Sequence, residues 1–206
     1  DGERPYFCAG KAELDICFVA EKYMPHGANK GYPQFVETMR WLIALRPELP
    51  FRFHVVGSCT AEDWPLGGLE RRVQFHGRLN TPELQRFYLC MDMVISPNQP
   101  FLLHQGNFDG FPTGCCVEAS LCGVCIVATD LLGLNPAYVD NRDMIFVEPE
   151  PDRIAQRVLK LIDEGKLASV ARAGQRLTRS LFNPVVQLHA RAAIIRRYAR
   201  QGGVSL

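Results

Sequence analysis

The chain has 206 residues, 47% of them apolar and 22% charged, which suits one substantial domain with a full core and little more. Its formal charge of +1 excludes the basic excess by which phosphate-backbone binders are recognised, so no nucleic-acid partner is expected. No run approaches the roughly 18 apolar residues of a membrane span, and no signal-peptide pattern opens the chain.

Taken in order, residues 1–13 read as a polar N-terminal segment or linker, and a start at Asp1 instead of Met is expected of a piece cut from something longer. Leu14 to Ala20 is an apolar run that suits a buried strand, and Phe35, Val36, Met39, Leu42 and Ile43 then repeat at helical spacing until Pro47. Phe51 to Gly57 is a second strand. After a glycine-rich loop Arg72 to His76 is a third, and Thr81 followed by Pro82 supplies an N-cap and a first-turn proline for a helix through Cys90. Met93 to Ser96, Cys125 to Thr129 and Met144 to Val147 are three further strands. Ile154, Val158, Leu161 and Ile162 share one face of a helix, and two more helical stretches are predicted over 167–181 and 184–200.

Continuous apolar strands separated by amphipathic helices indicate a parallel sheet covered on both faces, a doubly wound, Rossmann-like α/β domain of about six strands over 14–202. Ligands of such domains bind beyond the carboxyl ends of the strands, so the loops after Ala20, Gly57, His76, Ser96 and Thr129 are expected to line the site. The loop from Pro97 to Gly110 is long for a compact domain, which favours a functional element.

Of eight cysteines, Cys17, Cys90, Cys115, Cys116, Cys122 and Cys125 lie in or beside apolar segments, where thiols behave as small hydrophobes. A reduced, cytosolic setting is expected. Cys122-Gly123-Val124-Cys125 has the CxxC spacing of redox and metal sites, but a helix end, a glycine turn and a buried strand account for it better.

The most informative stretch is Phe108-Asp109-Gly110-Phe111-Pro112-Thr113-Gly114-Cys115-Cys116-Val117-Glu118-Ala119. It reads as an acidic, glycine-containing loop entering a short helix, the layout in which free N–H groups and the positive end of a helix meet a phosphate. With Lys30-Gly31, His76-Gly77-Arg78-Leu79, Thr81-Pro82-Glu83-Leu84, Asp92-Met93-Val94-Ile95-Ser96-Pro97 and Gly123-Val124-Cys125-Ile126-Val127-Ala128-Thr129-Asp130 in this order, the sequence resembles the C-terminal, donor-binding half of GT-B retaining glycosyltransferases, the glycosyl transferases group 1 of family four. The similarity runs from about Ile16 to Tyr198.

The resemblance implies a nucleotide diphosphate sugar as partner, with UDP-, GDP- or ADP-sugar as donor substrate and no separate cofactor. Lys30 takes the family's phosphate-binding place, while the arginine usual five residues earlier is replaced by Pro25; Lys22 or Arg78 is then the candidate second cation. Asp109 resembles the acid that reaches the donor sugar and Glu118 the acid that holds the ribose hydroxyls. They stand nine residues apart where the family has eight, Gly114 being the added residue. Phe111, Thr113, Gly114 and Cys115 are expected to offer backbone N–H groups to sugar or phosphate, and Gly77 with Arg78 to approach the base. The bland readings are a solvated lysine, a turn aspartate before glycine, an acid near a helix start and a surface arginine.

His76 is expected to be a packed histidine, and His104 is given no catalytic part. Arg191, Arg196, Arg197 and Arg200 make the last helix basic, a solvated face or a surface that packs on an absent domain, with contact to anionic membrane as the alternative. No Asp-x-Asp pair occurs, in keeping with transfer that needs no metal. The complete enzyme is expected to act in the cytoplasm or at the inner face of the membrane, on a saccharide, lipid or protein acceptor bound by a half absent here, and the fragment alone to be inactive. The alternatives are a catalytically degenerate nucleotide-binding or scaffolding module and a GT-B-like nucleotide-sugar 2-epimerase.

Overall fold

The computed structural model describes residues 4–201. Two short N-terminal strands, β1 (Tyr6–Phe7) and β2 (Gly10–Lys11), pair with each other in parallel. The main sheet holds β3 (Leu14–Ala20), β4 (Phe51–Gly57), β5 (Val73–Gly77), β6 (Met93–Ser96), β7 (Cys125–Ala128) and β8 (Ile145–Phe146). All six are parallel, in the order β5-β4-β3-β6-β7-β8. The helices are α1 (Tyr32–Leu45), α2 (Thr81–Cys90), α3 (Gly114–Leu121), α4 (Pro151–Asp163), α5 (Leu167–Leu181) and α6 (Pro184–Gln201), with a 3-10 segment, Pro25–Lys30, before α1.

The strand sequences are apolar on both sides because both sides are covered. Ile16 and Phe18 of β3, Phe53 and Val55 of β4, Met93 and Ile95 of β6 and Val127 of β7 enter one core, with Phe35, Val36, Met39 and Leu42 of α1 and Ile154 and Val158 of α4. The alternate residues Cys17, Val94, Ile126 and Ala128 enter a second core with Tyr88 of α2 and Cys116 and Ala119 of α3. Burying each large side chain in these layers contributes on the order of 1.5–3 kcal/mol.

Chain order and spatial order together fix where a ligand can enter. From β3 the chain builds outward to β4 and β5, then returns across β3 to build β6, β7 and β8 on the other side. The loops leaving β3 and β6 therefore diverge and open a crevice at their carboxyl ends, the switch point where doubly wound sheets bind ligands. Gly31 stands there with φ 78°, and a Cβ at this position would lie 2.0 Å from the Pro97 carbonyl oxygen. Only glycine lets the two loops come this close.

Three local expectations need correction. Residues 1–13 are not a free polar linker throughout: Tyr6 and Phe7 are buried in the core, the Tyr6 hydroxyl donates to the Gly123 carbonyl at 2.9 Å, and Arg4 donates to the carbonyl of Cys122. Two aromatic side chains in a polar surround find a partner only in three dimensions. The cap of α2 is Asn80, not Thr81, because the Asn80 side chain can reach the Glu83 N–H while Glu83 reaches back; Thr81 and Pro82 fill the first helical positions. Cys90 is exposed, since it ends α2 on the outer side. The CxxC stretch is a helix C-cap at Cys122, a left-handed Gly123 and a buried Cys125 in β7, as expected.

Candidate functional site

The crevice between the β3 and β6 loops brings Lys30 to Asp109, two residues far apart in sequence. The ammonium bonds both carboxylate oxygens at 2.6 and 2.7 Å, and it also lies 5.1 Å from the centre of the Tyr23 ring. Lys30 is positioned by the 3-10 turn that ends at Gly31, and Asp109 by the long loop after β6. The two loops are tied together beside the pair. The Gln99 N–H donates to the Asn29 carbonyl at 2.9 Å, and the buried Asn29 side chain donates to Asn107 at 3.1 Å. Thr129, just beyond β7, donates to the Asn98 carbonyl at 2.7 Å. The Asn29 carbonyl oxygen Oδ1 is buried without a partner among the described residues.

Phe111 and Thr113 line the same cleft as Asp109, together with Asn29, Asn107 and Thr129. Thr113 precedes α3 in extended conformation, as an N-cap should, yet its hydroxyl meets the Cys115 sulfur at 3.1 Å and caps no backbone N–H. The first turn of α3 holds no acid, and Gly114 at its start is exposed. The N–H groups of this turn are thus left for something else to bond. The Cys115 thiol is pulled down from its ordinary pKa by the hydrogen bond with Cys116, against burial, and by Thr113, Ser96 and the charge of Lys30.

Glu118 does not lie in this cleft. One turn further along α3 it is exposed and lines a groove between α2 and α3 with Thr81, Leu84, Gln85, Tyr88, Leu121 and Cys122. The start of α3 therefore separates a polar cleft holding Asp109 from a more apolar groove holding Glu118. Gly114 is the first residue of α3.

The candidate second cations are engaged elsewhere. The Lys22 ammonium bonds both oxygens of Asp63 at 2.7 and 2.9 Å. Gly77 ends β5 with φ 65°, and Arg78 forks onto Glu21 with its Nη2 at 3.0 Å. Arg78 is exposed, so a ligand beyond β5 can take it from Glu21 at small cost. His76 is packed, its ring 4.9 Å from Phe87 and its Nε2 3.1 Å from His54 Nδ1. His54 in turn bonds the buried Asp15 at 2.9 Å. Burial works against the Asp15 carboxylate, but His54, Arg52 and Lys11 outweigh it and hold its pKa well below the usual range. His104 accepts from the Gly106 N–H within its own loop. Arg191, Arg196 and Arg197 are exposed on α6; the side chain of Arg200 lies outside the described residues.

The sequence pattern described as glycosyl transferases group 1 matches residues 13–164, and the chain belongs to that family. Its six-stranded parallel sheet with helices on both faces is that of one half of a GT-B glycosyltransferase. Among sequences, it is 27% identical over 126 residues to the D-inositol 3-phosphate glycosyltransferase of Arthrobacter sp. (strain FB24), a match that covers 58% of this chain and 28% of that protein. Among solved structures, HepE of Anabaena in complex with UDP and glucose superposes with a TM-score of 0.70 at 19% identity, over 90% of this chain and 48% of HepE. The C-terminal domain of the group 1 glycosyl transferase LpcC of Francisella tularensis superposes with a TM-score of 0.62 at 20% identity, over 82% of this chain and 86% of that domain. The chain thus spans less than half the length of the first two relatives, and at these identities the solved structures speak for the fold alone. No helix among the described residues is long and apolar enough to cross a membrane.

Proposed function

We propose that this chain is the donor-binding domain of a retaining glycosyltransferase, holding a nucleotide diphosphate sugar across the start of α3. The observation that carries this reading is the Lys30–Asp109 pair at the switch point, placed beside a helix whose N-terminus no side chain caps. Each part has a physical task. The backbone N–H groups from Gly114 and the Lys30 ammonium neutralise the diphosphate, whose negative charge grows as the glycosidic bond to the leaving group breaks. Once phosphate oxygens take over Lys30, the Asp109 carboxylate is released to accept hydrogen bonds from sugar hydroxyls in the polar cleft. Glu118, on the far side of the helix start, accepts from the ribose hydroxyls, and Gly77 and Arg78 meet the base.

Because cationic and backbone groups carry the leaving-group charge, this scheme uses no metal ion. The acceptor is met by a further part of the polypeptide, as the greater length of the relatives suggests, and this chain alone transfers nothing. HepE, crystallised with UDP and with UDP-glucose, supports a UDP-sugar as the first donor to try.

Calorimetric titration of the domain with UDP, GDP and ADP tests the reading, in parallel with Lys30→Ala and Glu118→Ala. Selective binding of one nucleotide, weakened in both variants, is expected. Absence of binding by a folded sample at millimolar nucleotide would favour the degenerate module.

A further inference from the structure

Strand β5 is an edge strand of the main sheet, and its carboxyl end is irregular. Val55 of β4 pairs with Phe75 and the next residue, Val56, pairs with Gly77, so His76 is the extra residue of a bulge and has no partner in the ladder. Its ring does the holding instead. His76 Nε2 lies 3.1 Å from His54 Nδ1, the two rings stack with centroids 5.3 Å apart, and Phe87 of α2 meets them at 4.9 and 5.9 Å. Gly77, with φ 65°, and Arg78 follow directly, so this corner of the sheet hangs on a contact between two titratable rings.

The surroundings decide how many protons the pair can carry. His54 Nε2 meets Asp15 at 2.9 Å, and a carboxylate that is also bonded by Lys11 and Arg52 only accepts, so this nitrogen carries a proton. The remaining contact is His54 Nδ1 with His76 Nε2. With both rings neutral, His76 donates and His54 accepts. With one added proton, His54 donates from both nitrogens and His76 accepts. With two, N–H faces N–H, the bond is gone and like charges repel at 3.1 Å.

Among the described residues no free carboxylate meets the second charge. Asp15 is shared by Lys11 and Arg52, and the neighbouring Asp92 and Glu13 are bonded to those same cations. Cys17, the register partner of His54 in β3, has its thiol pKa pushed up by burial, and α2 presents the uncharged ring of Phe87. No carboxylate among the described residues bonds His76, and burial, with His54 adding to it, works against its charged form.

We propose that His54 and His76 form a proton-operated latch on the end of β5. Carrying one added proton or none, the pair pins the bulge and the corner at Gly77 and Arg78; carrying two, it parts and frees them. That corner is where the donor-site reading places the base, so acid weakens nucleotide binding through it, but the latch itself does not rest on that reading.

NMR of the folded chain between pH 8 and 5 tests this, histidine ring signals counting the protons on the pair and backbone amides reporting the corner. The Gly77 and Arg78 amides are expected to shift in one step as the second proton is taken up, while Val127 in β7 stays unchanged. The step is expected to be absent in His76→Phe, which keeps a ring against Phe87, and in His54→Gln, which gives His76 a neutral neighbour. UDP affinity is expected to fall between pH 7.5 and 5.5 at least about threefold more in the unaltered chain than in a folded variant, a comparison that cancels protonation of the phosphate itself. Corner amides that stay fixed while both rings take up protons overturn the inference. So does a step that survives in a folded variant, or one that Val127 shares, since that is general unfolding. Equal pH dependence of UDP affinity in the two chains overturns the coupling to the nucleotide. If UDP binds at neither pH, the donor-site reading falls, while the amides still decide the latch.

Discussion

Helices α2 and α3 pack beside each other on one face of the sheet and both start at its carboxyl edge, yet their N-termini are finished in opposite ways. At α2 the Asn80 side chain accepts from the Glu83 N–H at 3.0 Å and Glu83 accepts from the Asn80 N–H at 2.8 Å, a reciprocal cap with an acid in the first turn. At α3 the Thr113 hydroxyl turns to a cysteine sulfur, a glycine opens the helix and no acid follows in the first turn. The cap on α2 contributes on the order of 1 kcal/mol that α3 forgoes. In the proposed reading, leaving this helix start open at the switch point beside Lys30 trades stability for an anion site.

Removing the cation breaks the contrast most severely. Lys30→Ala is expected to weaken nucleoside diphosphate binding by roughly 10–100-fold, the worth of a charge-assisted contact, and to weaken the nucleoside hardly at all; calorimetry with both ligands checks it. Making α3 resemble α2 is the sharper test. Thr113→Asp places a capping carboxylate at the open helix start, and diphosphate affinity is expected to fall by about tenfold while the urea midpoint rises slightly. A variant that binds as before would mean that the phosphates lie elsewhere.

The converse change in α2 should act on stability alone. Asn80→Ala is expected to cost about 1 kcal/mol in urea unfolding and to leave nucleotide affinity within twofold. The smallest effect concerns His76, which packs on α2 through Phe87. Burial, with His54 adding to it, pushes the His76 pKa below its ordinary value. The unfolded chain therefore takes up its proton first, near pH 6.5, and stability is lost as pH falls from there through the lower folded pKa. Urea midpoints at pH 7.5 and 5.5 should differ by less in His76→Phe than in the unaltered chain.

The architecture was legible in the sequence because buried parallel strands announce themselves as short apolar runs. β3, β4, β6 and α5 were expected with the bounds they have, and the other main-sheet strands within a residue or so. What escaped was whatever depended on a partner distant in sequence. Tyr6 and Phe7 lie in a polar stretch that local reading makes a linker, and only the core they enter explains them. The cap of α2 was placed one residue late, because Asn80 and Thr81 are equally good caps by type and differ only in which one reaches Glu83.

The candidate site divides in the same way. Lys30, Asp109 and the open start of α3 could be picked out by residue type and motif order, but not that Lys30 and Asp109 bond each other. Neither could it be read that Lys22 turns to Asp63, or that Glu118 faces a different groove from Asp109.

By itself the sequence determined the class of fold, the order of its strands and helices, and the family, since these follow from hydrophobic period and from motifs written along the chain. Only the tertiary structure decided which charges meet, which helix start stays open, and that Leu131, Leu132 and Leu134 line one cleft with Asp109. Those are relations between loops brought together by the sheet's change of direction after β5, and pairwise distance across such a crossover has no signature in local sequence.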